Sequence, residues 1–354
     1  MYPTTLLDAR WLSKGGTGAF TRSLLEGLGG HRPAGWAVWG PPEVADLVWP
    51  GARHVSTDVD PAAGFGQRSA LRVPRADLVL HPHQTRPIHR RPAASCILDL
   101  IQLDQPNVAL RAAMAARLRL TIRSATVLFT IADDVRDEMG RRYGIDSEAV
   151  TVLRLPVDEA AAARVRALRA GHRPDRQLVA VGRFAPHKNQ RSLVEAFGRT
   201  AFAAGGGRLV LVGGTPDELG VAPGDLPAGV TIAGAAPQPE LEAIVARSLV
   251  LVQPSLREGL GLPVLEALAA GVPVVSSPIP AVTELGPAGL PTFDPTSVDS
   301  MARVIDATVD AVEAGRYWTA VDRDAWLRTR PTPATLAEQV LTRLEGVGRP
   351  RGAS

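Results

Sequence analysis

Three loops in this chain carry the residue types that chemistry on an anionic substrate needs. The most specific reads Gln253-Pro-Ser-Leu-Arg-Glu258-Gly259-Leu260-Gly261-Leu-Pro263-Val-Leu-Glu266 and runs on to Gly271. Pro263 suits the first position of a helix, where its missing N–H costs nothing, and Gly271 suits the residue past its end. Gly259 and Gly261 then open that helix, where free N–H groups and the dipole favour an anion. Glu266 is expected in the first turn, as a carboxylate able to accept two hydrogen bonds from a vicinal diol such as a ribose. Glu258, before the glycines, falls nearer whatever the phosphate carries. Taken singly, each glutamate is more simply a dipole-complementing or solvated acid.

The second loop, Gly182-Arg183-Phe-Ala-Pro186-His187-Lys188, precedes a helix expected to start near Asn189 or Gln190. Arg183 and Lys188 can converge on adjacent phosphates and meet the charge that a leaving nucleotide develops. A generic loop of this kind is otherwise a solvated surface turn. The third loop runs from Asp8 through Lys14-Gly15-Gly16-Thr17-Gly18 into a helix expected over 19–28. It has the ingredients of a phosphate cradle but matches neither glycine-rich fingerprint. Of 39 basic residues only Lys14 and Lys188 are lysines. Base composition is the simplest cause of the arginine bias, and it makes two compact ammonium groups in such loops informative.

All three loops follow strand-like runs. These runs fall at 5–8, 36–39, 78–80, 95–98 and 127–131, then at 178–181, 209–212, 230–233, 249–252 and 272–276, and helical stretches alternate with them. The pattern predicts an α/β protein of two Rossmann-like doubly wound domains with parallel sheets. The Ala/Arg-rich stretch 158–176 marks the boundary: 1–165 as the N-terminal domain, 176–335 as the C-terminal domain. A last helix and a loose tail occupy 336–354. Ligands of such sheets bind outside the carboxyl ends of the strands.

Composition sets the outer bounds. With 45% hydrophobic and 21% charged residues, the 354-residue chain can bury sizeable cores. The most apolar stretch, 267–282, is interrupted by Gly271, Pro273, Pro278 and Pro280, so a spanning helix is not expected. The N-terminus does not read as a signal peptide, and the single cysteine, Cys96, suits a reducing compartment. A cytoplasmic location follows as an expectation. A net charge of +3 with 5% aromatics argues against a nucleic-acid partner. On the helix expected over 110–123, Arg111, Ala115, Arg119 and Arg123 share one face. A solvated face explains that row, and contact with anionic lipid is the functional alternative.

The motifs Gly182-Arg183…Lys188 and Glu258-x7-Glu266 resemble those of retaining nucleotide-sugar glycosyltransferases of family 4, the group 1 type with the GT-B fold. The likeness continues through Leu209-Val-Leu-Val-Gly-Gly, Val230-Thr-Ile-Ala-Gly, Gly271-Val-Pro-Val-Val-Ser and Pro280-Ala-Val-Thr-Glu284. It is close over 178–300 and loose over 1–157. The resemblance implies two domains facing across a cleft, with the acceptor held by the first and a UDP- or GDP-linked hexose by the second. It implies that Arg183 and Lys188, with Gly15 and Gly16, bind the donor diphosphate and that Glu266 holds the ribose. Glu258, Gly259, Leu260 and Gly261 would contact the donor sugar, and main chain near Gly213–Gly214 and Ala233–Gly234 the base. It also implies transfer without a cofactor or metal, to a carbohydrate, lipid-linked or small-molecule acceptor; Asp58-Val-Asp60 has metal-binding spacing but follows no obvious strand. Where the family has His-Asp after a first-domain strand, this chain reads Leu98-Asp99. Asp99 remains as an acceptor-side base, and His81, His83 and Arg86 border the same strand ends as acceptor-side candidates. Trp11 and Phe20 are expected to be packing residues. The competing functions are a GT-B epimerase or phosphorylase and a non-catalytic nucleotide-sugar-binding protein.

Overall fold

The computed structural model describes residues 4–13, 15–58, 73–87, 89–104, 106–222, 224–345 and 347. Lys14, Asp60 and the tail 349–354 lie outside the described residues. The apolar runs form two parallel sheets. The first contains β1 (Thr5–Asp8), β2 (Trp36–Gly40), β3 (Arg53–Ser56), β4 (Leu78–His81), β5 (Ala93–Ile97), β6 (Val127–Thr130) and β7 (Val150–Val152), in the order β3-β2-β1-β4-β5-β6-β7. The second contains β8 (Gln177–Val181), β9 (Arg208–Val212), β10 (Val230–Gly234), β11 (Val250–Gln253) and β12 (Val274–Ser276), in the order β10-β9-β8-β11-β12. Central strands such as β1, β4, β5 and β6 are buried along their whole length. Continuous Val/Leu/Ile runs are what a parallel sheet covered on both faces requires. The sequence reading missed β3 and β7. Both are edge strands, and β3 carries polar residues at exposed positions, so neither shows an apolar run.

In both sheets the direction of strand addition reverses at one place: between β1 and β4 in the first, between β8 and β11 in the second. Loops at the carboxyl ends of the two strands diverge there and leave a crevice, where open α/β sheets hold their ligands. The loops after β1 and β4 therefore flank one such point, and those after β8 and β11 flank the other.

The chain divides into two compact units, residues 1–156 with 331–354, and residues 157–330. The division falls before the helix Glu159–Ala170, which the sequence reading placed in the linker. Asp158 caps this helix by accepting from the Ala161 N–H at 2.8 Å. Its arginines then fasten it to the second unit. Arg164 donates to the Glu242 carboxylate at 2.7 and 3.0 Å, Arg166 to Ala269 O at 2.7 Å, and Arg169 to Ser248 O at 2.6 Å. In the first unit the helix Pro333–Glu345 lies along the helix Gly15–His31. Their approach needs Gly27: a Cβ there would stand 1.9 Å from Pro333 O. Among the described residues no helix is long and apolar enough to cross a membrane.

Candidate functional site

At the second unit's switch point, the loop after β8 is drawn onto the loop after β11. Gly182 leaves the strand with its N–H on Val212 O at 2.9 Å. Gly213 follows β9 at φ +112° and packs so closely that a Cβ would stand 2.7 Å from Gly182 C and O. Only glycine combines that dihedral with that approach. Asn189, in the left-handed region at φ +58°, sends its amide to Pro254 O at 3.2 Å and Pro295 O at 2.8 Å. Leu256 N–H donates to His187 O at 2.8 Å.

This stitching brings Lys188 to Glu258. The ammonium donates to both carboxylate oxygens, at 2.6 and 2.8 Å, with the side chains 19% and 7% exposed. Gln253 Nε2 and Ser255 Oγ also donate to Glu258 Oε1, at 2.9 and 2.7 Å. Glu258 is thus a fixed, largely buried carboxylate; among the described residues one oxygen is held by three donors and the other by the lysine. Gln253 and Ser255 were given no role from sequence. Their signal was a glutamine ending an apolar strand, where β11 would otherwise continue in valine and leucine.

The expected helix is Leu262–Ala269, so Pro263 is its second residue rather than its first. Gly261 precedes it at φ +91°, and a Cβ there would stand 2.5 Å from Ile279 Cδ1. Leu260 is 3% exposed and its carbonyl accepts from Ala281 N–H at 2.8 Å. Leu260 can therefore meet a ligand through its N–H and not through its side chain. Glu266 is the fifth helical residue, in the second turn and not in the first, because the helix begins one residue earlier than Pro263. Its side chain reaches solvent, yet the protein around it pushes the carboxyl up to about 7, with Asp158 adding repulsion. Arg183 is exposed. Gly234 accepts from Gly213 N–H at 2.6 Å, bringing the two glycine turns expected near a base side by side.

In the first unit, Gly15 and Gly16 are the first two residues of the helix Gly15–His31 and are exposed, with Gly15 at φ +47°. The acceptor-side candidates part company. Arg86 is 1% exposed, and its guanidinium donates to Pro87 O at 3.1 Å, Thr121 O at 3.3 Å and Ser124 Oγ at 2.8 Å. It anchors the carboxyl end of the helix Val108–Arg123, where a cation complements the dipole, and does not stand open to an acceptor. His81, also 1% exposed, shares its Nδ1 with Asp8 Oδ2 at 2.9 Å and its Nε2 with His89 Nε2 at 3.1 Å. Asp8 in turn receives Arg10 Nε and Nη2, both at 2.8 Å. His81 is thus a link in an Arg–Asp–His–His chain, buried up to the half-buried His89, that ties the loop after β1 to the loop after β4. Sequence reading passed over Arg10 and His89, since a buried network joins residues that are distant along the chain. His83 and Asp99 remain half-exposed, whereas Leu98 is 6% exposed. Arg111, Arg119 and Arg123 are exposed and Ala115 half-buried.

Residues 175–310 match the family model described as glycosyl transferases group 1. That match falls within the second unit. Among curated proteins, this chain is 24% identical over 210 residues to the O-antigen chain mannosyltransferase RfbU of Salmonella typhimurium, covering 57% of each chain. It is 33% identical over 202 residues to a GDP-mannose-dependent alpha-(1-6)-phosphatidylinositol monomannoside mannosyltransferase of Mycobacterium tuberculosis, covering 49% of each. The match to these relatives spans about half of their length. Anabaena Alr3699/HepE, solved in complex with UDP-glucose, superposes at a TM-score of 0.70 with 16% identity over 98% of this chain and 100% of that one. That likeness extends the GT-B glycosyltransferase fold to the whole chain.

Proposed function

We propose that the protein is a retaining glycosyltransferase that moves a hexosyl group from a nucleotide-diphosphate sugar to an acceptor hydroxyl. The observation that carries this reading is the Lys188–Glu258 pair, fixed by Gln253 and Ser255 beside the amino end of the helix Leu262–Ala269. Lys188, Arg183 and the N–H groups at Gly259–Gly261 would receive the diphosphate, since ammonium, guanidinium and helix dipole all favour an anion. Glu266 would clasp the ribose diol, and Glu258 would meet the sugar. The bond from the anomeric carbon to phosphate oxygen then breaks as a bond to the acceptor oxygen forms on the same face, and the acceptor proton passes to the departing phosphate. Lys188 and Arg183 stabilise the charge that collects on the leaving diphosphate, so this chemistry asks for no metal. The two mannosyltransferase relatives make GDP-mannose the first donor to try, and the HepE complex makes UDP-glucose the second.

The experiment is calorimetric titration with a panel of nucleotide-diphosphate sugars, followed by a transfer assay on a panel of sugars and lipid-linked acceptors with the bound donor. Binding of one donor, lost in Lys188→Ala and Glu266→Ala, supports the reading; unaltered binding in both variants removes it. Burial of Leu98 favours a second reading, a nucleotide-sugar-binding protein without transfer. Donor binding with neither transfer nor slow donor hydrolysis would select it.

A further inference from the structure

The second sheet carries a cavity at the amino ends of its strands. It measures about 480 Å³ and opens where β8 and β9 begin, at Gln177 and Arg208, beside the carboxyl end of the helix Gln238–Arg247. Gly182 and Gly213 leave the opposite ends of the same two strands, so the cavity is separate from the loops that bring Lys188 to Glu258. Its size is that of a small-molecule site. The backbone around it is pinned: Asp175 N–H donates to Arg247 O at 2.8 Å, Gln177 N–H to Asp175 O at 2.7 Å and Arg208 N–H to Arg176 O at 3.0 Å.

The polar groups that line it are only partly engaged by the protein. Gln177 is 8% exposed, and its Nε2 donates to Ser248 Oγ at 2.9 Å. Ser248 Oγ gives its own proton to Ile244 O at 2.8 Å, so it must accept from Gln177. That fixes the amide with Nε2 at Ser248 and leaves Oε1 as the atom Gln177 offers to the cavity. Among the described residues this oxygen has no donor. Arg208 Nη2 reaches Asp175 Oδ2 at 3.4 Å, and Arg247 Nε stands 3.9 Å from the same oxygen, too far for a hydrogen bond. One carboxylate thus answers two guanidiniums, and neither has another side-chain partner among the described residues. Glu240 also lines the cavity, and its carboxylate has no partner among them. Ala243 and Ile244 add half-buried apolar surface.

We propose that this cavity binds a small zwitterion, an amino acid with an apolar side chain. Two guanidiniums and two carboxylates balance there, so an anion alone would meet Glu240 and Asp175, and a cation alone Arg208 and Arg247. A molecule that carries both charges avoids either cost. Its carboxylate takes the donors that Arg208 and Arg247 leave free, and its ammonium donates to Gln177 Oε1 and Glu240. Its side chain lies on Ala243 and Ile244. The proposal does not rest on the transferase reading, since sheets of this kind hold their substrates at the other ends of the strands.

The test is ligand-observed NMR titration of the full chain with leucine, 4-methylpentanoate and isoamylamine. The three share a branched chain and carry both charges, the anion alone and the cation alone. Leucine is expected to bind with a Kd of about a millimolar, about fivefold or more tighter than either analogue. Replacing both arginines, Arg208→Gln with Arg247→Gln, should weaken leucine by about fivefold or more. Glu240→Gln should weaken leucine by about threefold and leave 4-methylpentanoate bound at least as well as before. All three side chains are exposed, and thermal melts establish that each variant is folded. Lys188→Ala should bind leucine as the wild type does, which separates this cavity from the loops after β8 and β11. No leucine binding, binding no tighter than the analogues, binding unchanged in the double arginine variant, or binding lost in Lys188→Ala overturns the proposal.

Discussion

Replacing Glu258 by glutamine tests how the proposed donor site is held. Among the described residues Glu258 Oε1 has three donors, and Oε2 faces only the Lys188 ammonium, at 2.8 Å. Gln253 and Ser255 fix the amide oxygen of Glu258→Gln at the Oε1 corner, so its N–H2 takes the other and points donors at an ammonium. A hydrogen bond to a charged group is worth about 1.5–3 kcal/mol and a neutral one about 0.5–1.5. The exchange therefore removes about 1 kcal/mol of hold on Lys188. A diphosphate must draw the same ammonium away from Glu258, so its binding should improve by about fivefold. Titration calorimetry with UDP and GDP at one fixed salt concentration measures this, since the contact is ionic and screened by salt. Transfer to an acceptor should fall in the same variant, because the amide meets the donor sugar with a donor where the carboxylate accepted. Weaker nucleotide binding in Glu258→Gln would refute the reasoning: Glu258 would then be preorganising Lys188 for phosphate, not competing for it.

Lys188→Ala should weaken UDP and GDP by about 10- to 100-fold, the loss of charge-assisted hydrogen bonds worth about 1.5–3 kcal/mol, read by the same titration. Glu266, raised to about 7, carries a proton at pH 6 and must lose it to clasp a diol. Nucleotide-sugar binding at pH 6 should thus release a proton, visible as buffer-dependent heats that vanish in Glu266→Gln, and affinity should rise with pH and level off above about 7. The same raised value favours the folded state while the group is protonated; that contribution is whole below the ordinary 4.5 and lost as pH rises through about 7. Gly213→Ala puts a side chain at φ +112° and against Gly182, and should cost about 1–3 kcal/mol in urea denaturation together with weaker nucleotide binding. Asp8→Ala leaves Arg10 and His81 buried without their carboxylate and should cost about 3–5 kcal/mol by the same measure. Asp8 itself is held well below the usual carboxylate range: burial opposes ionisation, but Arg10 and His81 outweigh it. Its stabilisation is present above that range and lost only in strong acid.

The second unit was readable because its chemistry is written in consecutive residues. Lys188 and Glu258 each sit in a loop that follows an apolar strand, and glycines mark both turns. The sequence could not show that the two residues touch, since the contact depends on Asn189 reaching Pro254 across 65 positions. Glu266 was placed one turn early because Pro263 was taken as the helix start and Leu262 holds that position. In the first unit the histidines after β4 looked alike from their types and spacing. Burial separates them: His81 closes a chain to Asp8, whereas His83 turns to Trp11. Arg86 resembled a surface cation because nothing along the chain announces that Thr121 and Ser124 end a helix beside it.

The two switch points share one strand order but not one electrostatic character. At the second, Lys188 is held on Glu258, just before the helix Leu262–Ala269, and Arg183 lies exposed in the loop that carries Lys188; cations and a helix amino end favour phosphate. At the first, among the described residues, Arg10 is cancelled by Asp8, Arg86 is spent on a helix carboxyl end, and burial keeps His83 neutral. Nucleotide binding at the second should therefore weaken as salt rises, and titration calorimetry that found an affinity independent of salt would show that these charges do not govern it.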